Sequence, residues 1–267
     1  MAEIADAPAL PDGVTLVRAP NPGPMTLDGT NSWVLRAGGA AGAVVVDPGP
    51  ADAAHLDRLA EGGVELVLVT HRHHDHTDGV DALAERCGAP VRAIDPVWCR
   101  DADPLRDGEL IEAGGMRLEV LATPGHTSDS MCVVLRDADD DAVAVLTGDT
   151  VLGRGTSIIA HPDGALGPYL EALHRLLAIG AGAADGGPPV TVLPGHGPVL
   201  PDLAAICDAY LAHRAQRLDQ VRAALARLGA DASTEAVTDL VYADIDPGVR
   251  MAAEASVRAQ LEYLRGA

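Results

Sequence analysis

Apolar and polar positions along the chain follow two rhythms. Short apolar runs closed by Gly, Pro or Asp predict strands at 14–18 (VTLVR), 32–36 (SWVLR) and 43–47 (AVVVD). A helix is expected at 51–61, followed by VELVLVT at 64–70, the near-continuous apolar run of a strand covered on both faces. DGVDALAERCG (78–88) has helical spacing and ends on Gly. Strands fit RLEVLAT (117–123), MCVVLR (131–136) and AVAVLT (142–147), with the acidic turn DADDD between the last two. A helix fits 166–180, and VTVL (190–193) returns to strand. From about Pro201 the pattern is wholly helical, with one long segment and two shorter ones near 233–242 and 247–265. A strand-helix body over 1–205 and a small helical module over 206–267 are expected.

Composition changes this picture little. The 29 Gly and 19 Pro among 267 residues imply many turns and short elements. All 19 basic residues are Arg, and Phe is absent, a bias that reads as a GC-rich genome. The start, MAEIADAPALPDG, lacks the basic and apolar regions of a secretory signal. No run approaches the roughly 18 apolar residues of a membrane helix, so no membrane partner is expected. Cys87, Cys99, Cys132 and Cys207 form no CxxC pair and read as reduced thiols of a cytoplasmic protein.

Charge matters more. The net charge is −20, and residues 1–211 hold 31 acids against 12 Arg, whereas 212–267 hold 8 against 7. Such a body repels polyanions, and 2% aromatic content leaves few platforms for stacking bases.

Four segments place His or Asp directly after an apolar strand: THRHHDH (70–76), TPGHT with His126, TGDT with Asp149 and PGHG with His196. Strand ends are where α/β architectures gather functional groups. Imidazole and carboxylate are ligands that zinc takes at about 2.0–2.2 Å. A lone His in PGHG is more often a turn residue, and TGDT alone is weak. HxHxDH is strong by itself, and the four in this order point to a metal site.

Together these segments resemble the metallo-β-lactamase superfamily. That resemblance implies an α/β fold, an αββα sandwich with a dinuclear site at one edge. Carried over, His71, His73 and His126 hold the first metal, Asp75, His76 and His196 hold the second, and Asp149 bridges both. Asp47, in VVVDPGP, matches an aspartate that supports the ligands. His74 is expected to face away, and Arg72 and Asp78 have no assigned chemistry. The implied cofactors are two zinc ions, although manganese and iron accept the same ligands. The implied chemistry is hydrolysis by a metal-bridging hydroxide, with Asp75 orienting the nucleophile. Flavodiiron relatives carry Glu where this chain has His73; mononuclear iron persulfide dioxygenases use fewer of these ligands, but their motif looks similar and that alternative stays open. True metallo-β-lactamases lack a bridging Asp and often use a Lys, which this chain does not have. The full set matches hydrolases of thioesters and phosphodiesters.

The similarity extends over NPGPMTLDGTNSWVL (21–35), TGDTVLGRGTSII (147–159), LPGHGPVL (193–200) and YLAHRAQRLDQV (210–221), which look like the beta-lactamase-like protein 2 group. That group implies a winged-helix-like C-terminal module and includes an endoribonuclease of single-stranded RNA. Asn31, Arg154 and Thr156 become candidate substrate contacts, while Met25 reads as a packed core residue. Arg214, Arg217 and Arg222 read as a solvated helix face balanced by nearby acids. About 45 residues separate Asp149 from His196, too few for the inserted domain of nucleases that process RNA 5′ ends. The leading expectation is a dinuclear zinc hydrolase cleaving single-stranded RNA. A glyoxalase-II-like hydrolase of small thioesters or esters comes next, and β-lactam hydrolysis or a nonhydrolytic metal-folded binding protein further behind.

Overall fold

The apolar runs become the inner strands of two stacked sheets. The computed structural model describes residues 8–182, 187–244 and 247–266, so the first seven residues of the N-terminal stretch read for a signal lie outside it. One sheet has the order β1 (Val14–Arg18), β2 (Asn31–Leu35), β3 (Ala43–Val46), β4 (Val64–Leu68), β5 (Val91–Arg92). The other runs β10 (Thr191–Pro194), β9 (Ala142–Gly148), β8 (Met131–Arg136), β7 (Met116–Ala122), β6 (Leu110–Ala113). Pairing is parallel for β3–β4, β4–β5 and β9–β10 and antiparallel elsewhere.

Period-two alternation builds the layers. Val44 and Val46 point between the sheets and pack with Leu118, Val120, Val133 and Leu146 of the other sheet. Val45 and Val67 point outward, against Leu56 and Leu59 of α1 (Ala53–Ala60) and Leu83 of α3 (Val80–Cys87). On the far side, Cys132, Val134 and Val145 meet Tyr169 and Leu173 of α4 (Leu166–Ala181) and Leu203 and Cys207 of α5 (Leu203–Leu228). Each such buried side chain contributes about 1.5–3 kcal/mol, so inner strands must be apolar on both faces. This is the expected αββα order.

The C-terminal helices join the body without a break. Asp202 caps α5 by accepting from the Ala205 amide at 3.0 Å, and the helix runs through the expected 205/206 boundary to Leu228. Its second half packs with α6 (Thr234–Val241) and α7 (Arg250–Arg265) around Val221, Ala224, Val237, Val257 and Leu261. Among the described residues no strand follows β10, so this module consists of helices.

Several expectations shift. Edge strands β5 and β6 add to the strands read from the apolar pattern; β5 is two residues long, and β6 exposes Leu110 to 60%. Met25, expected in the core, is 56% exposed, because its loop overhangs the site instead of packing under it. Arg214, expected on a solvated face, is only 4% exposed. Its guanidinium lies 5.0 Å above the Tyr169 ring and donates to the Ser157 carbonyl. All four cysteines are free thiols. No described helix is long and apolar enough to cross a membrane.

Candidate metal centre

Both sheets deliver residues to one edge. Short α2 (His74–Thr77) follows β4, and this segment brings His71, His73, Asp75 and His76. His126, Asp149 and His196 follow β7, β9 and β10 of the second sheet. Their ligand atoms fall into two clusters, His71–His73–His126–Asp149 and Asp75–His76–His196, each within 4.8 Å. His73 Nδ1 lies 3.0 Å from both His71 Nε2 and His126 Nε2. His196 Nε2 lies 3.2 Å from His76 Nε2 and 3.0 Å from Asp75 Oδ2. Asp149 stands between the clusters, 3.8 Å from His126 Nε2 and 3.5 Å from both His76 and His196 Nε2.

The opposite ring nitrogens are held by groups that fix the tautomer. Ile158 O can only accept, so His126 Nδ1 donates to it, at 2.6 Å. His196 Nδ1 likewise faces Gly29 O at 3.4 Å. Asp47 accepts from the Thr70 amide, the Thr70 hydroxyl and His76 Nδ1, each at 2.8 Å. The Thr70 oxygen is left to accept from His71 Nδ1 at 3.0 Å. Four rings thereby aim Nε2 inward, against one another or against His73 Nδ1 at 3.0–3.2 Å, and ring-nitrogen lone pairs that close repel unless a cation or proton sits between them. Asp149 Oδ1 is buried with no hydrogen-bond partner. This donor set fits two divalent ions.

Titration follows burial and charge. Burial lowers His71 and His126, and burial with the neighbouring His126 takes His73 down to about 4. Burial also works against charge on His196, but Asp149 and hydrogen bonds to Asp149 and Asp75 raise it to about 9. Burial opposes the carboxylates of Asp75 and Asp149, yet His196 and His76 hold both well below the usual range.

The remaining expected residues divide. Asp47 lies under His76, and His74 turns outward, its side chain 89% exposed beside Asp78 at 3.1 Å. Asn31 is fully buried; it donates to Pro194 O and Gly197 O at 3.0 and 2.9 Å and accepts from Arg18, bracing the PGHG loop. Arg154 and Thr156 line a cavity of about 220 Å³ that abuts His126 and Asp149, although Arg154 also faces Asp28 at 3.4 Å. Three further contributors lie outside the sequence-derived set. Thr30 donates to Asp75 at 3.4 Å. Thr70, a plain strand residue by pattern, is the hinge of the Asp47 network. Arg72 ties the histidine loop to Asp95, Asp129 and Asp163 at 3.0–3.2 Å.

The family model described as Metallo-beta-lactamase superfamily matches residues 25–196, a span that contains all seven candidate ligands. The chain belongs to the metallo-beta-lactamase superfamily. Within it, the chain is 30% identical to a Beta-lactamase-like protein 2 homolog of Caenorhabditis elegans, over 96% of this chain and 85% of that one. It is also 30% identical to an Atrochrysone carboxyl ACP thioesterase of Aspergillus fumigatus, over 84% and 68% respectively. A metallo-beta-lactamase family protein from Thermus thermophilus superposes with TM-score 0.76 at 25% identity, covering 97% of this chain and 95% of that one. The protein is thus a hydrolase of this superfamily with a candidate dimetal site.

Proposed function

We propose that the protein hydrolyses acyl thioesters in the cytoplasm, with zinc as the resident ion. The observation that carries this choice is the cavity of about 220 Å³ beside His126 and Asp149, walled by Pro24, Met25, Leu27, Leu152 and Ile158. Small and largely apolar, it suits an acyl chain better than a nucleotide. The similarity to a fungal carrier-protein thioesterase agrees with it.

His71, His73, His126 and Asp149 would hold one ion, and Asp75, His76 and His196, with Asp149 shared, the other. Two such ions would bring a bound water's pKa toward neutrality and neutralise charge developing on the acyl oxygen. Asp75, its side chain 28% exposed and oriented by the Thr30 hydroxyl, is placed to accept a proton from the attacking water. The water oxygen joins the acyl carbon, the carbon–sulfur bond breaks, and the proton passes to the departing thiolate. The products are a thiol and a carboxylic acid, which ionises by giving water's second proton to solvent.

A second reading, cleavage of single-stranded RNA, draws on the similarity to the beta-lactamase-like protein 2 homolog along almost the whole chain. The net charge of −20 and the scarcity of aromatic rings weigh against it.

The test offers zinc-loaded protein S-acyl thioesters, single-stranded RNA and a chromogenic cephalosporin side by side. Thioester turnover should dominate and should fall at least roughly a hundredfold in His73→Ala, which loses a ligand of the first cluster. Turnover of RNA alone would sink the thioester assignment, and an unaffected His73→Ala would sink the mechanism.

A further inference from the structure

A second cavity adjoins the first. It has a volume of about 210 Å³ and shares the wall Thr156–Ser157–Ile158 with the acyl cavity. Its far side belongs to the C-terminal helices, which contribute His213, Arg214 and Arg217 from α5, Tyr242 after α6, and Ser256 from α7. Three basic side chains and several hydroxyls therefore face one space, and among the described residues no carboxylate lines it. In a chain of net charge −20 this is a local reversal.

The two arginines also lack carboxylate partners. Among the described residues neither Arg214 nor Arg217 forms an ion pair, whereas Arg222, further along the same helix, pairs with Asp219 at 2.8 Å. Arg217 stacks 4.9 Å above the Tyr242 ring and donates to the Gln220 side-chain oxygen at 2.8 Å. Arg214 Nε is buried without a hydrogen-bond partner. A buried, unpaired guanidinium donor costs stability unless something accepts from it. His213 titrates lower than usual through burial and the charges of Arg214 and Arg217, as expected where positive charge is unbalanced.

We propose that this pocket binds a phosphate carried by the thiol arm of the substrate, one loop away from the bond that breaks. Arginine forks with nearby hydroxyls are the donor set a phosphate takes. The identity of the arm rests on the thioesterase reading; the phosphate site itself stands on the pocket. The site also touches the metal centre mechanically. Arg214 donates to Ser157 O, and the next carbonyl, Ile158 O, orients His126.

The probes are 4′-phosphopantetheine and pantetheine, free and as acetyl thioesters, with a short single-stranded oligoribonucleotide as a third arm. Calorimetry on the zinc-loaded protein should give the phosphorylated thiol roughly tenfold or greater tighter binding than pantetheine, as charge-assisted hydrogen bonds supply. The same ratio should appear in kcat/KM, through KM. In Arg217→Gln the ratio should fall to about one, whereas Arg222→Gln should retain it. Equal binding of the two thiols overturns the inference, and Arg217-dependent binding of the oligoribonucleotide alone reassigns the pocket and overturns it too. Thioester turnover without phosphate preference leaves the thioesterase reading standing and removes this one. Arg217-dependent phosphate preference in binding without any thioester turnover does the reverse.

Discussion

At the scale of single residues, the site depends on two positions that bind no substrate. Asp47 sits at φ +55°, in the left-handed region that Asp tolerates better than most residues, and from there its carboxylate reaches Thr70 and His76 together. Replacing Asp47 with Asn leaves one acceptor oxygen and no charge for the three donors that the carboxylate serves, His76 Nδ1 among them. Metal affinity measured against a competing chelator should drop about 10–100-fold, and an unchanged affinity would show that His76 needs no such support. Gly195 is constrained by space. A Cβ there would lie 2.6 Å from Asp149 Oδ1 and 2.9 Å from His76 Cε1, so Gly195→Ala must displace the carboxylate shared by both clusters. It should weaken loading of both ions while far-UV circular dichroism stays native; two full equivalents of tightly held metal would count against the shared role. The histidines were legible because HxHxDH is a dense pattern. Thr30 and Thr70 were not, since a threonine in or beside a strand is ordinary by pattern and only three-dimensional convergence gives it a partner.

Among elements, legibility tracked burial. Inner strands such as β3 and β8 are covered on both sides, so their sequence is an unbroken apolar run. Edge strands β5 and β6 carry too short or too mixed a pattern to stand out. Helix α5 misled in one respect: its Arg residues follow a polar periodicity, but Arg214 turns under the Ser157 loop because α7 and α4 close over that side. Burial of elements also decides thiol chemistry. Cys132 lies inside β8 and Cys207 inside α5, and burial pushes their thiols up to about 11 and about 12. At pH 8 their thiolate fractions are about a thousandth and a ten-thousandth. A disulfide-exchange reagent should therefore modify the half-buried Cys87 and Cys99 in the native protein, and Cys132 and Cys207 only after denaturation. Four equally fast thiols in native buffer would contradict this packing.

For the whole molecule, the candidate metal centre is a junction between sheets. Four of its residues follow β4 in one sheet, and three follow β7, β9 and β10 in the other. Ions held there would tie the two halves together in the folded state alone. The stabilisation is set by mass action, about 2.7–4.1 kcal/mol for each ion when free metal stands at 100–1,000 times its Kd. A chain of this size shifts by about 2–4 °C per kcal/mol, so chelation should lower Tm by roughly 5–16 °C for each ion lost. The sandwich itself should survive, because its inter-sheet core and both helix-facing cores are built from apolar side chains away from the ligands. The expected result is a chelated protein with native far-UV dichroism, a lower Tm, and recovery of Tm on adding back two equivalents of zinc. A Tm indifferent to chelation and add-back would mean that no ion bridges the sheets, and the hydrolytic reading would fall with it.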